Sequence, residues 1–568
     1  MSKRKPGVGN KSSGDKLERL QRVVQNENNA RNDDEISVAA STRSTVSVHE
    51  KGTNGPSEPP ATLARTISVT AEAVIVERRN RRGLLAHLAL IPEVENPYHY
   101  ARKTKWLVVA IVAFCAMAAP MGSAIVMPVL QDIAKVFNAS PVTANMSVAV
   151  YMLAMSIFPI WWSAFSETGG RRTIYLISFL MFTVFSILSA VSTNIAMLVV
   201  FRTFAGGAAA SVQAVGAGTI ADTWEPRERG KAMGVFYLGP LCGPLFAPII
   251  GGVLGQELGW RSTQWFLVIY GGITVLLIIF ALPETLRRKD QTESQQQVQP
   301  ASNEKNDVRP ELKRVSTRQS VQQTTKSWAK TTRKMLLDPL IIITWMRYPP
   351  VALTVYYASI TFGSLYFLNI SIQATFSSEP YKYSTLIIGL LYIPGSLGYM
   401  LASLFGGRWI DRIMQREARK AGRYDDKGKL ILRPEDRMRE NAWIAAVLWP
   451  GALMWYGWTA EHGVIWIVPM IANFFFGIGS MLIFSLATTM LTEFMPKRAS
   501  AGVAINNFFR NIFSFIGAVV AEPLIHAIGN GWLMTILGLW SLLSGIAVIY
   551  TMKKWGPAWR DKMVKELG

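Results

Sequence analysis

Cysteine is almost missing from this chain. Cys115 and Cys242 are the two in 568 residues, and both fall inside hydrophobic runs, which excludes an extracellular disulfide framework. Histidine is nearly as scarce, and His49, His87, His99, His462 and His526 show no metal-ligand spacing. No nucleophile-base pair is apparent either. An enzyme, a metal site and a cofactor are therefore not expected. Residues 1 to about 75 have almost no aromatic residues and are rich in Ser, Asn, Lys and Glu. Such a segment buries too little apolar surface to offset chain entropy, so disorder is expected there. The first apolar run of any length begins near Trp106, so no cleavable signal peptide is expected and the first span serves as its own insertion signal. Carboxylates are missing from the middle of every apolar run. The nearest, Asp132 and Glu522, lie toward run ends.

What is present is apolar and basic: 50% hydrophobic residues together with a formal charge of +21. The two are segregated along the chain. With a window of about 19 residues, spans are predicted near 106 to 128, 142 to 165, 173 to 191, 196 to 220, 231 to 256, 263 to 282, 350 to 373, 385 to 409, 442 to 459, 464 to 490, 501 to 524 and 532 to 552. Alternate connections hold Arg171, Arg172, Arg227, Arg229, Lys231, Arg287, Arg288, Arg412, Lys497, Arg498 and Lys553, whereas the others are nearly empty of basic residues, with Lys135, Arg261 and Lys382 in short turns. The positive-inside rule then places both termini and the long middle loop in the cytoplasm. The basic excess is explained by topology and by anionic inner-leaflet lipids, with no need for nucleic acid.

The expected organisation is a disordered tail (1–77), a basic juxtamembrane segment (78–105), a six-helix half (106–283), a polar central loop (284–340), a second six-helix half (341–553) and a short tail (554–568). The juxtamembrane segment runs from Arg78, Arg79, Arg81 and Arg82 into Leu84, Leu85, Leu88, Leu90 and Ile91, a pattern suited to lying on the inner membrane surface. The halves repeat each other. Ser163-Ala-Phe-Ser-Glu167-Thr-Gly-Gly170-Arg171-Arg172 after span two is echoed by Gly407-Arg-Trp-Ile-Asp411-Arg412 after span eight, and Asp222 to Gly230 after span four by Glu493 to Ser500 after span ten.

Four constellations stand out. In span five, Gly239, Gly243, Ala247, Gly251 and Gly255 recur every four residues, a ridge with almost no side chains, beside a second ridge of Pro240, Pro244 and Pro248 and next to Gly252. Proline removes backbone hydrogen bonds, so this face is expected against protein or a cavity. Glu167, Arg171, Arg172 and Asp222, with Asp411 and Arg412 in the other half, are expected to form gates at the cytoplasmic face. Each exposed pair is worth only about 0 to 1 kcal/mol, and a partly desolvated network more. Arg202 lies roughly 10 Å inside span four, with Gln213 on nearly the same face. Arg510 lies mid-span with Asn506, Asn507 and Asn511 around it; such buried polar groups face the bundle interior and mark pathways or gates. Asn145, Tyr151, Tyr356, Asn473 and Phe474 are candidate cavity residues, since aromatic faces attract organic cations.

The glycine-proline series of span five resembles the antiporter motif of drug:proton antiporters in the major facilitator superfamily, and the loop after span two resembles that superfamily's hallmark loop, with Ser163 for the usual glycine and Glu167 for the usual aspartate. The stretch from Arg81 to Tyr100 is similar to the juxtamembrane segment of fungal quinidine-resistance and dityrosine exporters. This resemblance, over residue 78 to the end, implies an all-α membrane protein of twelve helices in two pseudo-symmetric halves. It also implies a monomer that exports an organic cation, polyamine or dityrosine-like compound against protons by alternating access. Arg202, Gln213, Asn506 and Arg510 would serve coupling or form the intramembrane polar groups, in a plasma, vacuolar or prospore membrane. Two rivals stay open: proton-coupled nutrient uptake, because Pro283-Glu284-Thr285 resembles the loop of nutrient carriers, and a non-transporting sensor that signals through its N-terminal tail.

Overall fold

The computed structural model describes residues 74–225, 228–286, 338–424, 430, 433–494 and 499–567. Residues 1–73 of the expected disordered tail, nearly all of the central loop, and Arg227, Arg287, Arg288, Lys497 and Arg498 lie outside the described residues, whereas Ile75 bridges to Val94 and the Val76 N–H donates to the Glu93 carbonyl.

Local signals set the helix boundaries. Helix α1 spans Arg102–Ala124 and is followed by a short helix, Leu130–Val136. Helix α2, Pro141–Gly169, starts where the Ser140 hydroxyl accepts the Thr143 N–H and Pro141 occupies the first turn, whose N–H would go unpaired in any case. It stops at Gly170, whose φ of +90° only glycine adopts without strain, and α3, Arg171–Ala190, begins at the next residue. Helix α4 is in two pieces, Ile195–Ala209 and Ser211–Thr223, so Arg202 and Gln213 do not share one continuous helical face. Helices α5, Arg229–Leu258, and α6, Arg261–Ala281, complete the first half. The second half contains α7 (Pro349–Phe376), α8 (Thr385–Leu391 continuing as Ile393–Lys420), α9 (Glu440–Glu461), α10 (Ile467–Phe494), α11 (Ala499–Ile528) and α12 (Asn530–Leu567).

Eleven of these are long and apolar enough to cross a membrane. The expected crossing at 442 to 459 corresponds to α9, a 22-residue helix in which Trp443, Trp449, Trp455, Tyr456 and Trp458 replace much of the aliphatic content. At 1.5 Å per residue it is still about 33 Å long. Two helices outrun the apolar pattern, α8 to Lys420 and α12 to Leu567, because the polar residues that continue them are good helix formers.

Helix α1 packs on α5 and α3 on α6 in the first half, as α7 packs on α11 and α9 on α12 in the second; α2 meets α11 and α5 meets α8 across the halves. The juxtamembrane segment packs against the first half. Arg82 pairs with buried Glu93 at 2.7 Å and donates to the Leu286 carbonyl, while the Leu90 N–H reaches the Phe280 carbonyl at the end of α6. Leu84, Leu85, Leu88 and Leu90 remain exposed on its outer side.

Candidate functional site

The basic ends of the helices hold two matching ion networks. In the first half Arg171 Nε meets Asp222 Oδ2 at 3.0 Å and its Nη1 meets the Ser166 hydroxyl at 2.5 Å. In the second, Arg437 Nη1 meets Asp411 at 2.9 Å and Nη2 meets Glu493 at 2.6 Å. Asp222 and Glu493 are the equivalent residues of the internal repeat. Burial works against the charge of Arg437, but the two carboxylates overcome this and hold its proton more tightly than usual.

Three gate expectations need correction here. Glu167 is exposed and makes no ion pair among the described residues. Arg412 is also exposed; the base that Asp411 uses is Arg437. Arg172 is fully buried and pairs with no carboxylate side chain among the described residues. It donates to the carbonyls of Ile278 at 2.9 Å, Ile279 at 2.8 Å and Leu282, closing the C-terminal end of α6 where unpaired carbonyls concentrate negative charge, and it also holds those of Leu84 and Leu85. Glu284, outside the expected gate set, closes the same loop. Its Oε1 accepts the N–H groups of Arg171, Thr285 and Leu286, each at 2.9 Å, and its Oε2 that of Arg172 at 3.2 Å. Burial raises its pKa, and the four donors pull the other way. The sequence signal was Pro283-Glu284-Thr285.

The small ridge of α5 packs within its own half. A side chain at Gly239 would run into the Ala113 carbonyl of α1, at Gly251 into that of Ile125, and at Gly243 would lie 3.0 Å from the Met121 nitrogen. The offset row faces the other half. A Cβ on Gly252 would lie 2.9 Å from the Thr385 carbonyl oxygen, and Gly389 of α8 lies against the Pro248 carbonyl. Because Pro248 has no N–H to give four residues back, the Pro244 carbonyl is left free, and the Ser396 hydroxyl of α8 donates to it at 3.3 Å. Pro244 is exposed and Pro240 half-buried.

Further hydrogen bonds join the halves toward the end opposite the ion networks. Asn145 Nδ2 donates to Glu522 at 2.5 Å, Thr385 Oγ1 to Asp132 at 3.1 Å, and the Leu386 N–H to Gln256 at 3.2 Å. At the basic end, the ion pairs among the described residues all lie within one half.

The two intramembrane arginines differ. Arg202, 1% exposed, donates to the carbonyls of Ser147 at 3.1 Å and Gly122 at 2.9 Å and to Gln264 Oε1 at 3.3 Å, with the Tyr151 ring 5.1 Å from its guanidinium carbon. Arg510 makes no side-chain hydrogen bond or ion pair among the described residues, and its Nε is buried without a partner. It lies over the Phe362 ring at 4.2 Å and the Phe484 ring at 5.8 Å. Tyr366 meets the Phe362 ring edge-on and Tyr399 stacks on that of Phe484, and Tyr237 of α5 lies within electrostatic reach from the opposite half. Asn506 and Asn511 are buried with unpartnered amide atoms, as is Oε1 of half-buried Gln213.

The expected cavity residues scatter. Tyr151 is 1% exposed and wedged between Gly122 and Gly206. Asn145 is a strut between the halves. The Tyr356 hydroxyl faces α12, through Trp540 at 3.0 Å and Ser544 at 3.3 Å. Asn473 is buried against Gly395, and the Phe474 backbone crosses α8 at Gly398. Periodicity finds polar and aromatic residues but not the neighbour each one turns toward. The aromatic cup around Arg510, built from Phe362, Phe484, Tyr366 and Tyr399, contains none of these five residues.

Comparison with known proteins gives a consistent answer. The Major Facilitator Superfamily profile matches residues 112–518. An MFS antiporter, QDR3, of Candida albicans is 36% identical, covering 86% of this chain and 83% of its own length. Quinidine resistance protein 3 of Saccharomyces cerevisiae is 30% identical over 86% of this chain and 88% of its own. Among solved structures, a D-xylose-proton symporter aligns with a TM-score of 0.55 at 14% identity, covering 79% of this chain and 97% of that one, a likeness of fold alone.

Proposed function

The chain belongs to the major facilitator superfamily, and from that premise we propose that it exports a small organic molecule from the cytosol in exchange for protons, by alternating access. The observation that carries this reading is the seam between the halves. Hydrogen bonds and the Pro248 and Gly252 contacts close it toward one end, whereas the ion networks at the basic end stay inside their own halves. With the basic end in the cytoplasm, this is an inward-facing carrier, ready to load from the cytosol. Each network stiffens its own half, so that the halves move as bodies.

The antiporter and quinidine-resistance names of the relatives support export over uptake. The proline-freed carbonyl of Pro244 supports it too, because its partner Ser396 sits on the opposite half and must be released when the seam opens. Glu522 is the carboxylate best placed to couple to protons: it is 4% exposed and loses Asn145 when the halves part. We place the protein in the plasma membrane as a monomer, with anionic lipids against its basic end.

Inside-out vesicles carrying the protein, with an imposed pH gradient, test the reading with labelled quinidine, spermidine and dityrosine. Uptake of at least one compound that collapses with the gradient is expected. Uptake of none, or movement of substrate and protons in the same direction, would overturn it.

A further inference from the structure

A guanidinium inside an apolar bundle is costly unless its N–H groups meet acceptors or an opposite charge. Arg202 meets that condition through its own half. Arg510 does not: aromatic faces cover it, no carboxylate pairs with it among the described residues, and its electrostatic neighbours are the phenols of Tyr366, Tyr399 and Tyr237. The side chain is nonetheless half-buried rather than sealed, and Tyr237, which faces it from α5, is 36% exposed. The charge thus keeps accessible surface about 16 Å along α11 from Ala499 at 1.5 Å per residue, beside a residue of the opposite half that is accessible too.

We propose that the transported molecule carries a carboxylate, which supplies the missing counter-charge to Arg510 while an apolar or aromatic body lies against Phe362, Phe484 and Tyr366. A planar guanidinium accepts a carboxylate through two parallel hydrogen bonds, a geometry that a point charge does not match. The rings beside it offer edges and faces to an apolar body. An organic cation at the same place would meet a like charge in a poorly screening environment. A phosphate dianion would need more than the single cation present. The inference rests on the carrier reading of this site and names its substrate class: among the compounds the family resemblance suggests, dityrosine fits when a carboxylate faces Arg510 and its ammonium groups point away, and spermidine, which has no carboxylate, does not.

The test is equilibrium binding to the full chain in lipid nanodiscs without any gradient, using dityrosine, citrate, quinidine and spermidine as probes. Dityrosine is expected to bind and to raise the unfolding midpoint. Arg510→Met should weaken that binding at least tenfold, and Arg510→Lys should restore part of it. Phe362→Ala keeps the charge and removes one wall, so it should weaken dityrosine more than citrate. It serves as a second variant should Arg510→Met fail to fold. Carboxylate binding unchanged by Arg510→Met, equal loss of both acids in Phe362→Ala, or binding of quinidine or spermidine alone would each overturn the inference. Carboxylate binding without pH-driven flux in vesicles would support it and sink the exporter reading instead. Proton-driven export of quinidine that ignores Arg510→Met would do the reverse.

Discussion

Arg202 and Arg510 are the same side chain in the same kind of environment, one in each half, and they differ in who satisfies them. Three acceptors from three helices surround Arg202, one of them the carbonyl of Gly122 near the end of α1, so that α1, α2, α4 and α6 share one cation. A buried charge satisfied by its own half is a structural pin. Arg510 has rings where Arg202 has carbonyls, and a charge left incomplete by the fold is available to something that comes and goes. Burial alone therefore does not mark a functional charge; the count of unmet hydrogen bonds does.

The sharpest way to break the comparison is to exchange the losses. Arg202→Met removes the shared donor from three buried acceptors, and each acceptor left without another partner costs about 1 to 3 kcal/mol. It should lower the thermal midpoint of the solubilised protein severely or abolish a monodisperse peak, measured by heating before size-exclusion chromatography. Arg202→Lys should recover only part, since a point charge cannot reach all three. A midpoint that falls more for Arg510→Met than for Arg202→Met would mean that the roles are reversed.

The next effect concerns contact rather than charge. Gly252→Leu would drive a side chain into the Thr385 carbonyl on the opposite half, whereas Gly251→Leu would strike Ile125 within the same half. Overpacking of this kind costs about 1 to 3 kcal/mol or more. Gly251→Leu should reduce folded yield. Gly252→Leu should spare yield, lose exchange and raise cysteine labelling from the side opposite the ion networks. Equal effects on yield would dissolve the distinction between the two rows.

A third test asks the same question of an anion. Glu284→Ala leaves four N–H groups without their acceptor and should destabilise strongly. Glu284→Gln keeps an oxygen for the three donors on Oε1 and removes a buried charge, so its cost should be much smaller. The pH dependence follows from the raised pKa. Above its folded-state pKa this group costs stability relative to the unfolded chain, and the cost is relieved as pH falls toward its ordinary value near 4.5. Acidification from neutral pH should therefore raise the wild-type midpoint relative to that of Glu284→Gln, whose side chain does not titrate; a relative fall of wild type would count against it.

Much of the scaffold could be read from the chain. Apolar run lengths located the helices, four-residue spacing located the α5 ridge, and the internal repeat paired Asp222 with Glu493. What could not be read depends on approaches between distant segments. Arg437 lies 26 residues after Asp411, because a long connection replaces the tight turn that puts Arg171 four residues after Glu167. Glu284 meets Arg171 across 113 residues. Sequence also cannot distinguish Arg202 from Arg510, since acceptors supplied by backbone carbonyls have no residue signature.

The smallest effects are expected where the repeat pointed to matched latches. Glu167 and Asp411 occupy equivalent positions, yet Glu167 is exposed without an ion pair among the described residues and Asp411 is 60% exposed with Arg437 beside it. Exposed pairs contribute about 0 to 1 kcal/mol, so Asp411→Asn should slow vesicle flux slightly and Glu167→Gln hardly at all. Glu493→Gln should exceed both. Its carboxylate is less exposed, at 30%, and meets Arg437 through both Nε and Nη2, so its loss leaves a buried guanidinium with Asp411 as its remaining charged partner. The three rates in one vesicle preparation give the order directly. If Glu167→Gln proved the slowest, Glu167 would have to find a partner in a conformation other than this one, and the loop after α2 would be a latch that engages only when the basic end closes.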